Sequence, residues 1–256
     1  MSGPAAPRVG FLIGGVQKAG TTALARSLSA HRSVLLPVDK EAHVFDAPDF
    51  DDAWSVAEID ARYAPLFDTG RVAQFTGDAT PIYCLHERFV QRIARYNPQM
   101  RWVISLRHPV ERAISQYHME RKRGDETLPL VLALLAEPWR LRGHRDDFSA
   151  QSPLRRHSYC LRGAYSQQLD TLLKYFARDQ VLVLRSTDFR NSPRDVLGRI
   201  YAHLGLPGPI LISRSPVVFA GDYSPPSRVS PAWAVASWRL RGELRRLRDH
   251  HGIDFA

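Results

Sequence analysis

The chain has 256 residues, of which 44% are hydrophobic and 24% charged, and its formal net charge is +9. This length fits one α/β domain with a real hydrophobic core, and the composition excludes a disordered chain, a fibrous repeat and a coiled coil. The positive charge favours an anionic partner: a nucleic acid, an anionic lipid, a polyanionic sugar or a phosphorylated small molecule.

The cysteine content and the hydropathy point to a reducing, aqueous compartment. Cys84 and Cys160 are too few for a disulfide framework or a cysteine-based zinc site. No apolar run approaches the ~20 residues of a membrane span. The run Val9–Val16 leads into Lys18 rather than into a small-residue cleavage site. We therefore expect a soluble, cytoplasmic protein without a membrane span, and no spacing of His, Asp or Glu suggests a metal site.

Short apolar runs alternate with amphipathic segments, which predicts a single α/β domain over residues 1–256 with a central parallel β-sheet flanked by helices. In chain order, the predicted strands are Val9–Ile13, Ser33–Leu36, Val72–Thr76, Arg101–Leu106 and Gln180–Leu184. The predicted helices are Thr21–Ala30, Leu85–Tyr96, Pro109–Arg123, Leu128–Ala136, Tyr159–Phe176, Pro193–Leu204 and Ala232–His250. The predicted irregular segments are Gly143–Ser158 and Pro209–Pro231.

The segment Gly14–Thr22 lies between the first predicted strand and the first predicted helix. Backbone amides and the positive end of a helix at such a junction bind anions, and glycines allow a close approach. Gly15 and Gly20 have the spacing of a nucleotide P-loop, but Thr21 stands where that loop has its lysine. The lysine lies inside the loop instead, at Lys18. The order of strand, loop, lysine, glycine and hydroxyls favours an anion-binding loop over a merely capped helix.

The run Gln17-Lys18-Ala19-Gly20-Thr21-Thr22 resembles the 5′-phosphosulfate loop of sulfotransferases that use 3′-phosphoadenosine-5′-phosphosulfate (PAPS). Its residues are similar to those of the same loop in the glycan-acting branch, such as the heparan sulfate sulfotransferases. The resemblance implies a P-loop-like fold, PAPS as donor, 3′,5′-bisphosphoadenosine (PAP) as product, and no required metal. It also implies that Lys18 neutralises the charge that builds as the sulfuryl group leaves, with all six residues contacting the donor.

A second segment, Val103–Pro109, is a strand that ends in Arg107, and Ser115 follows on the next helix. It resembles the 3′-phosphate motif of the same family. The resemblance implies that Arg107 binds the 3′-phosphate as a fixed fork and that Ser115 donates a hydroxyl. The alternative is an ordinary strand–helix junction, with Arg107 in an ion pair and Ser115 bonded back to its own helix.

A third segment, Lys40–Asp46, resembles the Lys-Glu-x-His-Phe-Phe stretch of glycan sulfotransferases. The resemblance implies that Glu41 is the general base that takes the proton from the acceptor hydroxyl, a poor nucleophile without help. His43 and Asp46 would line the acceptor cleft, with Lys40 near the donor or the acceptor. His43 is an alternative base, because histidine serves that role in other branches. A solvated charged loop is the remaining interpretation.

The segment Gly77–Tyr83 resembles the Glu-Lys-Thr-Pro-x-Tyr segment of the family, with two departures. Asp78 replaces the glutamate. Ala79 replaces a lysine that contacts the acidic acceptor in heparan sulfate enzymes, which argues against a heparan-like acceptor. Thr80 and Tyr83 are predicted to shape the acceptor cleft, and a purely structural turn is the alternative.

Further nucleotide contacts are predicted in the second half of the chain. Arg162–Tyr165 resembles the Gly-x-Tyr helix start of the family, which implies that Gly163 and Tyr165 lie near the nucleotide. At its helical spacing, Tyr165 is alternatively a core residue. The chain has no Lys-Gly-Arg loop between cysteines, and Arg228 is the predicted substitute.

These motifs predict a PAPS-dependent sulfotransferase that acts on a hydroxyl of a carbohydrate, a glycolipid or a glycosylated natural product. The resemblance covers roughly Val9–Leu206 and leaves 207–256 weakly covered. We expect no nucleic-acid partner, and the oligomeric state is open. The basic helix around Trp238 is interpreted as a solvated face, with peripheral membrane contact as the alternative.

Two other functions remain as alternatives. An ATP-dependent P-loop kinase is disfavoured, because no lysine follows Gly20 and the fourth predicted strand leads into Arg107 rather than into a Mg²⁺-binding acid. A non-catalytic module that binds polyanions or nucleic acid fits the net charge, but it leaves Lys18 and Glu41 unexplained.

Overall fold

The computed structural model of the protein describes residues 8–68, 70, 73–208 and 226–255. The strands are β1 (Phe11–Gly15), β2 (Val34–Leu35), β3 (Phe75–Asp78), β4 (Arg101–Leu106) and β5 (Val181–Arg185). The helices are α1 (Thr21–Ser29), α2 (Val56–Tyr63), α3 (Glu87–Tyr96), α4 (Pro109–Arg123), α5 (Leu130–Arg140), α6 (Pro153–Arg156), α7 (Tyr165–Tyr175), α8 (Ser186–Asn191), α9 (Pro193–Leu204), α10 (Pro231–Arg239) and α11 (Glu243–His251).

The five strands form one all-parallel sheet in the order β2-β3-β1-β4-β5. Parallel neighbours need crossover connections, which the helices supply. The predicted fold class, a central parallel sheet flanked by helices, is confirmed. The described residues group into two compact units, 8–106 with 170–208, and 107–169 with 226–255, and the sheet belongs to the first. That residues 1–256 act as a single domain stays a prediction.

The core of the first unit lies against the sheet. Successive side chains of a strand point to opposite faces, so each strand contributes to two layers. On one face, Ile13 and Val103 pack with Leu28 of α1 and Ile200 of α9. On the other face, the indole of Trp102 is fully buried. Both faces of the sheet are therefore covered, as expected for parallel strands.

The first strand ends later than the sequence predicts. We predict Val9–Ile13 as the strand and place Gly14 in the loop, but β1 continues through Gly14 and Gly15. A Cβ at Gly14 would lie 2.3 Å from the ring of Trp102, and a Cβ at Gly15 would lie 2.5 Å from the sulfur of Cys84. These two glycines are thus needed for packing in the sheet, so the anion-binding loop begins after them.

The predicted helix Tyr159–Phe176 is wrong at its start, because α7 begins only at Tyr165. The buried carboxylate of Glu137 accepts hydrogen bonds from the amides of Cys160 and Leu161, each at 2.8 Å. The guanidinium of Arg112 donates to the Tyr159 carbonyl. The Gly163 amide donates to the Cys160 carbonyl at 2.8 Å and the Ala164 amide to the Leu161 carbonyl at 3.1 Å, so the segment forms tight turns instead of an α-helix.

Two other long predictions need correction. The tail helix predicted at Ala232–His250 is two helices, α10 and α11, separated by a turn at Leu240–Gly242. The irregular segment Gly143–Ser158 contains the short helix α6.

The third strand is β3, Phe75–Asp78, rather than Val72–Thr76, and Val72 lies outside the described residues. Of the predicted loop Pro209–Pro231, residues 209–225 also lie outside them.

Helices α2 and α8 are not predicted, although the sequence holds a signal for α2. The Ser55 hydroxyl accepts from the Glu58 amide at 3.3 Å, and the Glu58 carboxylate accepts from the Ser55 amide at 2.7 Å. This reciprocal pair is the capping box, which is readable from sequence as serine followed three residues later by glutamate. The helix has only eight residues, so Val56, Ile59 and Tyr63 alone carry its apolar spacing.

The last residue of β3, Asp78, is the centre of a buried hydrogen-bond network. Its carboxylate accepts from the hydroxyls of Tyr63 at 2.9 Å, Tyr83 at 2.8 Å and Thr80 at 2.7 Å, and from the Ala42 amide at 3.2 Å. Burial raises the pKa of Asp78, and these four hydrogen bonds act in the opposite direction. A buried carboxylate tolerates burial only with such partners.

The same network holds the backbone of the loop that follows Lys40. The Thr80 hydroxyl accepts from the His43 amide at 3.3 Å, and the Tyr83 hydroxyl accepts from the Val44 amide at 3.0 Å. With the Ala42 amide on Asp78, three consecutive amides of the loop are tied to one end of β3. The network therefore connects the sheet to the segment in which the sequence predicts catalysis.

We expect Asp78→Asn to destabilise the fold, because the amide brings two donors into a pocket already filled with donors. Leaving buried polar groups unpaired costs ~1–3 kcal/mol each, so the free energy of unfolding should fall by about 3 kcal/mol. Urea denaturation followed by circular dichroism measures the change. Asp249→Asn, at an exposed carboxylate, is the matched control. A loss at Asp78 no larger than that of the control would contradict the structural role of the network.

Candidate active site

The loop between β1 and α1 is held firmly to the neighbouring strand. The Val16 amide donates to the Ser105 carbonyl at 2.8 Å, and the Ser105 hydroxyl donates to the Ala19 carbonyl at 2.7 Å. Gly20 precedes α1 with φ +84°, a conformation that side chains disfavour. The first amides of α1 have no partner within the helix, and the helix dipole adds positive potential there. The loop thus has the geometry expected of the predicted anion-binding site.

The segment Lys40–Asp46 carries a chain of alternating charges. The Lys40 ammonium donates to Glu41 Oε1 at 2.5 Å. The other carboxylate oxygen of Glu41 lies 3.4 Å from Nε2 of His43. Nδ1 of His43 lies 2.9 Å from Oδ2 of Asp46. Glu41 and His43 each contact two groups of opposite charge, whereas Lys40 and Asp46 each contact one. The four side chains therefore hold one another in place.

These contacts set the protonation states of the two candidate bases. Burial alone would raise the pKa of Glu41, but the hydrogen bond from His43 and the charge of Lys40 lower it to about 2. Burial alone would lower the pKa of His43, but its hydrogen bonds to Asp46 and Glu41 raise it to about 9. At neutral pH Glu41 is ionised and His43 is protonated. Of the two, only Glu41 then has a lone pair to accept a proton.

Backbone conformation singles out the same residues. Among the non-glycine residues in the described ranges, positive φ occurs at Lys18 (+72°), Lys40 (+70°) and His43 (+52°). Residues with side chains disfavour this region, and such positions cluster at functional sites. All three are residues to which the sequence assigns contact with donor or acceptor, so local geometry and motif agree.

One side chain joins the anion loop to the candidate base. Lys40 Nζ donates both to Glu41 and to the hydroxyl of Thr21, the latter at 3.4 Å. Thr21 is the first residue of α1 and directly follows Gly20. The structure therefore brings the predicted donor loop and the predicted base within the reach of a single ammonium group.

Three predicted acceptor residues are buried. Asp46, Thr80 and Tyr83 have no exposed surface. Asp46 Oδ2 bonds to His43, and the hydroxyls of Thr80 and Tyr83 donate to Asp78. Their burial favours a role in positioning His43 and the loop backbone over direct contact with the acceptor. Sequence reasoning missed Tyr63 and Ser105 as part of this support. A tyrosine on α2 and a serine in a strand carry no motif that marks them.

The second unit holds the residues predicted for the 3′-phosphate. Arg107 Nε donates to Glu111 at 3.0 Å, and the carbonyl of Arg107 accepts from the Tyr165 hydroxyl at 2.9 Å. Ser115 lies on α4 and is buried. Arg107 lies between β4 and α4 and pairs with Glu111 in the first turn of α4, so an anion of higher charge could replace the glutamate.

The remaining predicted nucleotide residues have different surroundings. A Cβ at Gly163 would lie 3.2 Å from Leu240, so the space beside this glycine is filled by protein. The guanidinium of Arg228 lies 5.5 Å from the ring centroid of Trp233, which in turn stacks on His108 at 5.6 Å. Burial lowers the pKa of His108, and the charges of Arg228 and Arg107 lower it further. Arg228 thus contributes to a positive field beside Arg107.

The described residues contain neither a metal-binding cluster nor a membrane-spanning helix. No group of three or more His, Cys, Asp or Glu side chains in the described ranges is arranged to hold a metal ion. Within those ranges, no helix has the length and apolar character needed to cross a membrane. Cys84 and Cys160 are both buried, and neither is in a disulfide. The predicted cytoplasmic location stays a prediction.

Comparison with known proteins gives consistent similarities. Heparan sulfate glucosamine 3-O-sulfotransferase 6 of Mus musculus is 31% identical over 196 residues, 76% of this chain and 52% of that protein. Heparan sulfate glucosamine 3-O-sulfotransferase 3B1 of Homo sapiens is 29% identical over 197 residues, 76% of this chain and 45% of that protein. The chain spans about half the length of these curated relatives. The resemblance to the heparan sulfate branch is confirmed.

A solved structure is similar along nearly the whole chain. The sulfotransferase from Alicyclobacillus acidocaldarius matches with a TM-score of 0.77 and 27% identity, over 97% of this chain and 98% of that one. The sequence model of the sulfotransferase domain family matches residues 10–214, which include the anion loop, the Lys40–Asp46 segment and Arg107. The chain belongs to the sulfotransferase domain family.

Proposed function

We propose that this protein transfers a sulfuryl group from PAPS to a hydroxyl of a carbohydrate-type acceptor and releases PAP. The observation that carries this proposal is the position of Lys40 Nζ, 3.4 Å from the Thr21 hydroxyl and 2.5 Å from Glu41. It joins an anion-binding loop to a carboxylate that is ionised at neutral pH. A donor anion and a proton acceptor side by side are what group transfer to a hydroxyl requires.

The residues of the anion loop fit the phosphosulfate end of the donor. Gly20 lets the backbone turn toward the ligand, and Thr21 and Thr22 place hydroxyls at the positive end of α1. Lys18 would offset the negative charge on the ligand. Arg107 and Ser115 are the proposed ligands of the 3′-phosphate. When bound, PAPS supplies an activated sulfuryl group on a phosphate leaving group.

The charged segment performs the proton chemistry. Glu41 accepts the proton that the acceptor hydroxyl gives up as it becomes a nucleophile. His43, protonated and held by Asp46, donates a hydrogen bond that orients the Glu41 carboxylate. Any anion that draws Lys40 away from Glu41 removes one of the causes that lower its pKa, which makes Glu41 a stronger base.

One of the departures from the heparan sulfate enzymes bears directly on the acceptor. Ala79 stands where those enzymes have an acceptor-binding lysine, and it is fully buried. We therefore favour an acceptor that needs no cation at this position: a sugar, a glycolipid or a glycosylated natural product. We also propose that no metal is needed, because Lys18, Lys40 and the amides of α1 supply the positive charge.

Nucleotide choice tests the donor. PAP at ~100 times its Kd stabilises the fold by ~2.7 kcal/mol, which should raise the Tm by about 5–10 °C. Adenosine 5′-phosphate lacks the 3′-phosphate and should raise it much less. Arg107→Ala should lose most of the PAP-specific shift in a thermal melt. Arg194→Ala, at an exposed arginine of α9, should keep it. Equal shifts from the two nucleotides would contradict the donor assignment.

Removing the base should separate binding from chemistry. Glu41→Gln keeps the shape of the side chain but cannot hold the proton, so kcat should fall ~10²–10⁴-fold. The Tm shift with PAP should persist. The measurement is transfer of labelled sulfate from PAPS to a panel of glycans in excess EDTA. Glu87→Gln, at an exposed carboxylate, is the control. Normal turnover in Glu41→Gln together with loss in His43→Gln would move the base to His43.

The raised pKa of His43 predicts a pH-dependent stability. A group whose pKa is higher in the folded state stabilises that state fully below its ordinary value, here 6.5. The contribution is lost as the pH rises through about 9. Denaturant titrations should therefore show His43→Asn less stable than the native chain at mildly acidic pH, with the gap closing in alkali. Gln151→Asn, at an exposed residue that does not titrate, is the control and should leave the pH dependence unchanged.

A further inference from the structure

The outer face of α5 is apolar and exposed. Leu132 is 51% exposed, Leu135 49% and Trp139 78%. Their spacing of three and four residues places them on one side of the helix. The opposite side packs Ala133 and Leu134 into the core of the second unit. The helix is therefore hydrophobic on both faces, and the described residues pack against only one of them.

No charge interrupts this outer face. From Leu130 to Trp139 the sequence holds a single ionisable residue, Glu137, and its carboxylate is buried against the amides of Cys160 and Leu161. Scattered exposed leucines are ordinary, but a continuous apolar face ending in an exposed tryptophan indicates a surface for interaction.

Basic side chains lie beyond both ends of the helix. The last turn of α4 carries Arg121, Lys122 and Arg123, all exposed, and Arg142 and Arg145 follow α5. The nearby acids are largely occupied. Asp125 pairs with Arg156 at 2.8 Å, and the buried Glu126 pairs with Arg140 at 2.5 Å. Of the other acids between residues 121 and 147, Asp146 is exposed and Asp147 is partly exposed, against five exposed basic residues. Among those five, Arg121 also donates to the carbonyls of Glu126 and Thr127, and Arg123 pairs with Glu120 at 3.7 Å.

We propose that the outer face of α5 docks on an anionic lipid bilayer. An apolar helix face with a tryptophan partitions into the boundary between headgroups and acyl chains, and flanking arginines contact lipid phosphates. A second copy of the chain fits less well. Two copies paired through this face would bring their basic ends together, and like charges across an interface are unfavourable. This inference does not depend on the proposed sulfuryl transfer.

Vesicle binding of the full chain tests the proposal. The protein should float with vesicles that contain phosphatidylglycerol, weakly or not at all with pure phosphatidylcholine, and less as salt screens the charges. The triple variant Leu132→Ser/Leu135→Ser/Trp139→Ser should bind at least about tenfold more weakly. All three side chains are exposed, so its thermal melt should match that of the native chain.

Two controls make the result specific to α5. Trp238→Ser removes a tryptophan of α10 that is 59% exposed, and it should bind vesicles like the native chain. Trp139→Phe should abolish the blue shift of tryptophan fluorescence that vesicles induce. Equal losses from the α10 and α5 variants, or no binding to anionic vesicles, would overturn the proposal. So would a native dimer in sedimentation equilibrium that the triple variant converts to a monomer.

Discussion

The buried carboxylate of Asp78 needs hydrogen-bond donors, and meeting that need shapes the candidate site. A carboxylate with no access to water is costly unless it is fully paired. Tyr63, Tyr83, Thr80 and the Ala42 amide provide the pairing. Because two of these hydroxyls also accept amides of the adjacent loop, the stability of β3 and the position of the base are coupled. A change that loosens one is expected to loosen the other.

The alternating charges from Lys40 to Asp46 follow from that fixed backbone. A lone buried carboxylate would have a raised pKa and would be protonated more readily. Glu41 instead lies between an ammonium and an imidazolium, and it stays ionised. The cost is basicity, since a carboxylate with two cationic partners holds a proton weakly. The arrangement fits the proposed role of Glu41 as the base, because an incoming anion that competed for Lys40 would remove one cause of the lowered pKa and make Glu41 more basic.

The sequence predicts what local chemistry encodes. The anion loop, the strand Arg101–Leu106 and the helix Pro109–Arg123 are readable because glycine, proline and apolar periodicity determine each within a few residues. The support of the site is different. Nothing near Ser105 indicates that its hydroxyl holds the Ala19 carbonyl, and nothing near Tyr63 points to Asp78, since these partners meet only in the folded sheet. Motifs thus predict the candidate reacting groups, whereas the groups that hold them depend on tertiary contacts.

The positive φ angles of Lys18, Lys40 and His43 show that motif residues depend on tertiary contacts for their backbone conformation. Glycine would adopt this conformation without strain, as Gly20 does, but it offers no side chain for chemistry. Keeping a side chain there costs about 1–3 kcal/mol per residue and requires surroundings that hold the backbone. At Lys40 the carbonyl accepts from the Ala79 amide at 3.3 Å, and at His43 the amide donates to Thr80. The end of β3 therefore offsets strain at the positions where lysine and histidine are required.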